Sequence, residues 1–354
     1  MSTILLNPGP VTLSRRVREA MLRPDLCHRE PEFADLQSGI RRKLLAVYGL
    51  DPGEWAAVLL TGSGTSAVEA MLGSLVPADG ELVVVENGAY GERMSQIAVA
   101  HRIACTPVRH GWEDAVDPSR LRAALARVSL PTHRIALVHH ETTSGRLNDL
   151  AVAGPGGRTS LLLDAVSSFG AEQIDFTGLA ACASTANKCL HGVPGVSFVL
   201  LRRSLLEGSD PRRGLYLDLA AHCRAQDAGD TLFTPAVQAC YALDEALTEL
   251  DGAGGWTVRR ARYRALMEHV RGRLIELAVE PLLPEGDCSC VLSAFRLPHG
   301  LSYERLHDGL KRNGFVIYAG QGRLAAGIFR IAVMGEITDP DMERLLGALS
   351  AVLG

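Results

Sequence analysis

The chain has 354 residues, 47% of them hydrophobic and 21% charged, enough for two structural units or one large α/β unit with an appendage. A chain of that size buries a core without help from disulfides or metal. Thirty-six basic against forty acidic residues leave a net charge of −4, which excludes the basic field of a nucleic-acid binder and the basic run that meets a membrane surface.

From Met1 to Pro10 there is no charged segment followed by a long apolar one, so no signal peptide is expected, and no apolar run approaches a membrane span. These residues read as extended, with Pro8 and Pro10 breaking any helix. Pro31–Tyr48 sets Phe33, Leu36, Ile40, Leu44 and Val47 at spacings of three and four, which predicts an amphipathic helix. Strand-length apolar runs follow at Ala56–Leu60, Leu82–Val85, Ile103–Val108, Arg134–His139, Ser160–Asp164 and Val196–Leu201. Helical patterns lie between several of them, at Thr65–Val76, Glu92–His101 and Pro118–Val128. Strands alternating with helices predict βαβ units and a mainly parallel sheet covered on both faces. The last third changes character. Helices are expected at Pro235–Leu250 and Trp256–Ala278 around a flexible joint at 251–255, then strands at Cys288–Arg296, Phe315–Tyr318 and Gly327–Val333 with helices at Ser302–Arg312 and Asp339–Val352. That is a small α+β unit beside the large one.

The eight cysteines contain no CxxC pair. Cys288 and Cys290 on an alternating strand would share one face with no second pair nearby, so no metal site is expected. Reduced, mostly buried thiols suit a cytoplasmic protein.

Leu60–Ala67 follows a strand and opens a helix, with Gly62 and Gly64 flanked by Ser63 and Thr65. The amides of that first turn and the two hydroxyls are suited to a phosphate dianion at the positive end of the helix. The same stretch reads G-x-G-x-x-A, and the next strand ends in Glu86, which suits a dinucleotide equally well. The loop alone leaves both ligands open. Asp164 ends a buried strand, where α/β sheets present ligands. Lys188 stands 24 residues beyond it, with no other Asp, Glu, Lys or Arg between Asp175 and Arg202. Nicotinamide chemistry gives that lysine no role, whereas desolvation lowers a lysine's pKa and makes its amine nucleophilic. A phosphate loop, a strand-end aspartate and a desolvated lysine together suit pyridoxal 5′-phosphate. The loop grips the phosphate, Asp164 keeps the pyridine nitrogen protonated, and Lys188 bonds the cofactor and then moves the proton.

Nine strings stand in order along the chain: Leu6–Pro10, Cys27–Phe33, Thr61–Thr65, Glu86–Arg93, His140–Gly145, Asp164–Gly170, Ser184–Gly195, Gly314–Tyr318 and Phe329–Ile331. In them the sequence resembles the class V aminotransferases of PLP fold type I. The strings NGAYGER, ETT-x-G and ANKC-x-x-GVPG narrow the resemblance to the aminophosphonate branch. The resemblance implies a large domain with a mainly parallel seven-stranded sheet, residues 14–250, and a smaller C-terminal α+β domain of residues 251–354 joined by residues 1–13. It implies that Ser63, Gly64 and Thr65 bind the cofactor phosphate and that Tyr90 stacks on the pyridine ring. Thr142 or Thr143 would approach the 3′-oxygen side, with Ser167 also in the cofactor set. Asp164 would pair with the pyridine nitrogen, and Lys188 would be the Schiff-base residue. Thr234 would reach the phosphate of the neighbouring subunit, making the active sites shared features of a homodimer. Arg330 would clamp the carboxylate of the acceptor, and the cationic pair His28-Arg29 is a candidate for the phosphonate. The implied reaction is transamination of 2-aminoethylphosphonate with pyruvate to phosphonoacetaldehyde and L-alanine. The alternatives are an alanine–glyoxylate or serine–pyruvate type transaminase, another aminophosphonate transaminase, a cysteine desulfurase-like lyase and, from another class, an NAD-linked oxidoreductase. Three departures bear on the substrate: His191 replaces the family's glutamine, Val196-Ser-Phe198 replaces its FGF, and Ala151–Arg158 is short and glycine-rich where relatives carry a helix.

Overall fold

The computed structural model describes residues 3–128, 132–154, 159–207 and 213–354. In chain order the first half contains β1 (Ile4–Leu5), α1 (Arg15–Ala20), α2 (Pro31–Ala46), β2 (Trp55–Gly62), α3 (Gly64–Leu75), β3 (Gly80–Glu86), α4 (Ala89–Ala100), β4 (Ala104–Arg109), α5 (Pro118–Leu125), β5 (Thr132–Val138), the short β6 (His140–Glu141) and β7 (Arg146–Leu147), and β8 (Thr159–Asp164). The second half contains β9 (Leu179–Thr185), β10 (Gly195–Arg202), α6 (Leu219–Asp227), α7 (Val237–Gly252), α8 (Gly255–Glu276), β11 (Leu292–Arg296), α9 (Tyr303–Arg312), β12 (Phe315–Val316), β13 (Tyr318–Ala319), β14 (Ile328–Ala332) and α10 (Asp339–Leu353).

Seven strands form the large sheet in the order β2-β10-β9-β8-β5-β3-β4. The sheet is mainly parallel, as expected; β10 alone runs against its neighbours β2 and β9. Period-two alternation feeds two cores at once. Ala57, Leu59, Val83 and Val85 join the core on one face with Ile40, Phe169 and Phe198, while Ala56, Val58, Leu82 and Val84 join Met71, Leu72 and Leu162 on the other. Burial on both faces is why these strands read as unbroken apolar runs.

The strand β9 was not expected. Its sequence, Leu-Ala-Ala-Cys-Ala-Ser-Thr, has small side chains and weak strand propensity. It occupies the middle of the sheet, where α3 packs directly on it and small side chains let a helix approach. Two helices, α1 and α6, were likewise not expected, being short, at six and nine residues.

The C-terminal unit is a three-stranded antiparallel sheet, β11-β14-β13, covered by α8, α9 and α10 around Tyr263, Phe295, Phe315 and Phe329. The chain start belongs to it physically: β1 pairs in parallel with β12, and Leu6 lies in the same core. Three sequence expectations are corrected here. The stretch 288–291 is not strand; β11 begins at Leu292, and the Cys288 and Cys290 thiols face different backbone carbonyls, those of Pro284 and Ala171, rather than one surface. Phe315–Tyr318 is two short strands with different partners. The joint at 251–255 is a tight turn, because α7 continues to Gly252 and left-handed Gly254 lets α8 start at once. A single turn at Leu150–Ala153 opens the stretch 151–158, whose residues 155–158 lie outside those described. Among the described residues no helix is long and apolar enough to cross a membrane.

Candidate active site

The carboxyl ends of β2, β5, β8 and β9 lie along one edge of the large sheet, with the start of antiparallel β10 beside them; Gly62 faces Gly195, and Asp164 faces Val138 and Ala183. That edge is where a doubly wound sheet receives a ligand. At the end of β2 the chain turns at Ser63 into α3. Ser63 has the extended backbone of an N-cap, yet its side chain makes no capping bond, so the first amides of α3 are left for something else. Ser63 and Thr65 are exposed and Gly64 is buried. A Cβ on Gly64 would fall 2.8 Å from Val166 Cγ1, so only glycine lets this turn sit against the loop after Asp164. Thr65, Tyr90, Arg93, Asp164 and Val166 line one cleft.

Asp164 is anchored by its backbone, whose carbonyl accepts from His139 N at 2.9 Å. Its Oδ1 accepts from Val166 N at 3.0 Å, and Oδ2 has no hydrogen-bond partner among the described residues. Burial pushes this carboxyl up to about 6, with the Val166 amide, Arg93 and Lys188 drawing it back. Lys188 lies in the turn between β9 and β10. Burial brings its ammonium down to about 8, as the sequence suggested for a lysine among small and apolar neighbours. Its Nζ donates to the carbonyl of Pro8, which brings the first extended segment onto the large sheet. Gly9 lies beneath the lysine: with φ +104°, it leaves no room for a Cβ, which would stand 2.6 Å from both Cδ and Nζ. Gly9→Ala should therefore displace the amine and lower turnover at least about tenfold, through a shift of a reacting group by about an ångström. Unchanged kcat with an unshifted Lys188 in a crystal structure of the variant would refute it.

The turn beyond the lysine explains one departure. His191 adopts φ +66° and is buried; burial holds its ring well below the usual histidine range and therefore neutral. Its Nε2 accepts from Gly335 N at 3.0 Å and bonds the Tyr263 hydroxyl. His191 thus ties the lysine turn to α8 and to the segment after β14.

Arg330, on β14, is buried, with Nε donating to the Ala319 carbonyl at 2.9 Å and Nη1 to the Thr142 carbonyl at 2.9 Å. It makes no ion pair among the described residues, so the guanidinium is held in place with part of its donor set uncommitted. Tyr90, in the first turn of α4, carries the Arg93 guanidinium 4.8 Å from its ring centroid. Thr142 and Thr143 are buried. The Thr143 hydroxyl is committed, donating to Glu141 Oε1 at 2.5 Å and accepting from Ala89 N at 3.2 Å. Ser167 is also internally bonded, to the carbonyl and ring of His140, each at 3.1 Å. Burial holds His139 and His140 neutral, both down to about 4.

Glu141 was not singled out from the sequence. It is fully buried, and burial lifts its carboxyl to about 7 against the hydrogen bonds from Thr143 and Gly91. The available signal was an acid at the end of an apolar strand, directly before two threonines.

His28, Arg29 and Thr234 form a separate group. Arg29 pairs with the Asp230 carboxylate and donates to the Thr231 carbonyl at 2.8 Å. Thr234 is exposed in the same loop, which is tied to the end of β2 by Ala236 N donating to Thr61 Oγ1 at 3.1 Å, and Phe233 lies 5.0 Å from Tyr216, whose hydroxyl donates to the Thr61 carbonyl at 3.2 Å. No hydrogen bond or ion pair among the described residues links these three with Lys188, Asp164 or Arg330. Glu86, the acid a dinucleotide reading requires, is bonded to the Ser95 hydroxyl at 2.5 Å and paired with Arg109 at 3.1 Å.

No family model matches the chain. Among curated proteins it is 38% identical over 362 residues to a 2-aminoethylphosphonate–pyruvate transaminase of Vibrio vulnificus, covering 99% of this chain and 97% of that protein. It is 35% identical over 357 residues to a protein of the same name from Bacillus cytotoxicus, covering 98% and 97%. Among solved structures, an aspartate aminotransferase of subgroup IV from Thermus thermophilus superposes with a TM-score of 0.89 at 29% identity, covering 99% of each chain. An alanine–glyoxylate aminotransferase from Nostoc sp. shares the fold, with a TM-score of 0.90 at 24% identity over 100% of this chain and 96% of that one.

Proposed function

The chain belongs to the class V aminotransferases, related over its full length to the 2-aminoethylphosphonate–pyruvate transaminases, and from that premise we propose that it moves the amino group of 2-aminoethylphosphonate to pyruvate with pyridoxal 5′-phosphate as cofactor. The products are phosphonoacetaldehyde and L-alanine. The observation that supports the cofactor best is one sheet edge carrying an uncapped helix start, an aspartate with one open oxygen and a desolvated lysine.

When bound, the cofactor supplies the aldehyde carbon that accepts an amino group and a ring that draws electrons from it. The residues of this chain do the rest. The amides and hydroxyls of Ser63, Gly64 and Thr65 would hold the phosphate at the positive end of α3. The open Oδ2 of Asp164 would hold a proton on the pyridine nitrogen, and Tyr90 would cover the ring face. The Lys188 amine, neutral for much of its time near pH 8, would take and return the substrate proton. Arg330, already fixed through two carbonyls, would hold the acceptor carboxylate with its remaining donors. Thr234, exposed in its loop, would reach the phosphate of a second copy in a homodimer, and His28 and Arg29 would lie on the substrate side of that shared site. We also propose that residues 14–250 and residues 1–13 with 251–354 act as two units about Arg330.

A panel of amino donors with pyruvate, scored by alanine formed, tests the substrate. The kcat/KM for 2-aminoethylphosphonate should exceed those for serine and alanine at least about tenfold, about 1.4 kcal/mol of transition-state discrimination. Equal values would move the protein to the alanine–glyoxylate or serine–pyruvate type. The cofactor reading makes a separate prediction about pH. A lysine at about 8 is half neutral at pH 8, whereas an ordinary one at 10.5 has well under about 1% of the nucleophilic form. The rate at which apoprotein takes up pyridoxal 5′-phosphate should therefore rise with pH about a midpoint near 8. A midpoint near 10 would show a solvated amine.

A further inference from the structure

Helix α4 begins at a residue that cannot cap it. Its N-cap is Gly88, which has no side chain to bind the first amides. The cap is supplied from elsewhere in the chain. Glu141 Oε2 accepts from Tyr90 N at 3.1 Å and Gly91 N at 3.3 Å, while Oε1 accepts from Thr143 N at 3.3 Å and from the Thr143 hydroxyl at 2.5 Å. Thr143 Oγ1 accepts from Ala89 N at 3.2 Å, so one turn after β6 binds the first three amides of α4. Gly88 is what makes room: a Cβ there would lie 2.2 Å from Glu141 Cγ and Cδ. A carboxylate at the positive end of a helix, bound through its amides, is a strong and directional cap.

What that cap holds in place is the cleft. Tyr90, whose amide Glu141 binds, and Arg93, one turn further along α4, line the cleft with Asp164. The residue after Glu141 is Thr142, whose carbonyl anchors Arg330. We infer that Glu141 is a positioning residue: capping α4 from the β6 turn, it sets the Tyr90 ring over the cofactor cleft and holds that ring in register with Arg330. The inference rests on the reading of the cleft as a pyridoxal phosphate site with Tyr90 on the ring face. The backbone bonds explain why the acid stands in a buried strand end, where a carboxylate is costly unless several donors meet it.

The test is a double-mutant cycle on cofactor affinity, read by fluorescence titration of apoprotein with pyridoxal 5′-phosphate. Glu141→Gln keeps the size of the side chain but turns one acceptor into a donor facing N–H groups. It should weaken affinity about tenfold and speed amide exchange at Tyr90 and Gly91. Tyr90→Ala should weaken affinity as well, and the double variant should bind no worse than Tyr90→Ala alone. Thr143→Val, which removes the hydroxyl bonded to both Glu141 and Ala89, provides a second route should Glu141→Gln fold poorly, and should be equally non-additive with Tyr90→Ala. Unchanged affinity in Glu141→Gln or Thr143→Val beside a weakened Tyr90→Ala overturns the inference and leaves the cofactor reading standing. Effects that multiply in the double variant overturn it too, since Glu141 would then act independently of Tyr90. Unchanged affinity in Tyr90→Ala removes the ring-face reading, and the inference with it.

Discussion

Lys188→Ala should lower transamination at least about 10⁴-fold and leave the purified protein without the yellow colour that borohydride removes from the wild type. General-base help of this kind contributes on the order of 10² to 10⁴ in rate by itself, and covalent attachment of the cofactor is lost along with it. Neither of the other two lysines can substitute. Among the described residues Lys43 is paired with Asp244 across α2 and α7, and Lys311 lies on α9, so neither is at this sheet edge. The fold should survive the change. Lys188 is a desolvated amine whose only hydrogen bond among the described residues is to the Pro8 carbonyl, and removing it relieves burial of charge. The thermal midpoint, followed by circular dichroism, should stay within about 4 °C of wild type. Retained turnover in Lys188→Ala with an intact fold would end the reading of this residue.

Arg330→Lys should impair acceptor use while sparing the cofactor. The guanidinium reaches two carbonyls and keeps donors for a carboxylate, a planar task that an ammonium does not repeat. Lysine keeps the charge but loses the second donor, and a hydrogen bond to a charged group contributes about 1.5–3 kcal/mol, so kcat/KM for pyruvate should fall by roughly 10- to 150-fold. The visible spectrum should be unchanged, because Arg330 anchors on Thr142 and Ala319 rather than on Asp164 or the α3 start. A variant in which pyruvate kinetics are unaltered would show that the acceptor carboxylate is held elsewhere.

The proposed site was legible as a set of candidates before the fold was known, because the chemistry proposed for it demands residue types that stand out locally. A lone lysine in a small-residue stretch stands out by itself, whereas an aspartate ending a buried strand and hydroxyls around glycines point to a cofactor only in combination with it. Glu141 escaped because its role lies in the backbone amides of another segment, and the spacing between 88–91 and 141–143 carries no periodicity. Gly9 escaped as a site residue for the same reason: its importance comes from Lys188 passing over it, 179 positions away. The ion pair of Arg29 with Asp230 was not legible either, because the two residues are remote in sequence. β9 was missed because a central strand covered by a close helix favours small side chains, which local strand propensity does not register.

The sequence by itself determined the alternation of strands and helices and the parallel character of the large sheet, and it singled out Asp164 and Lys188 as the candidate pair. Those properties depend on apolar periodicity and on the rarity of particular side chains, both local to the chain. Only the tertiary structure decided which groups meet. It brought the first extended segment under Lys188 and assigned Thr143 to a helix cap. It also fixed Arg330 on two carbonyls and turned His191 towards Tyr263. Backbone amides and carbonyls are identical at every position, so where they gather around a side chain is a consequence of packing that residue types do not disclose.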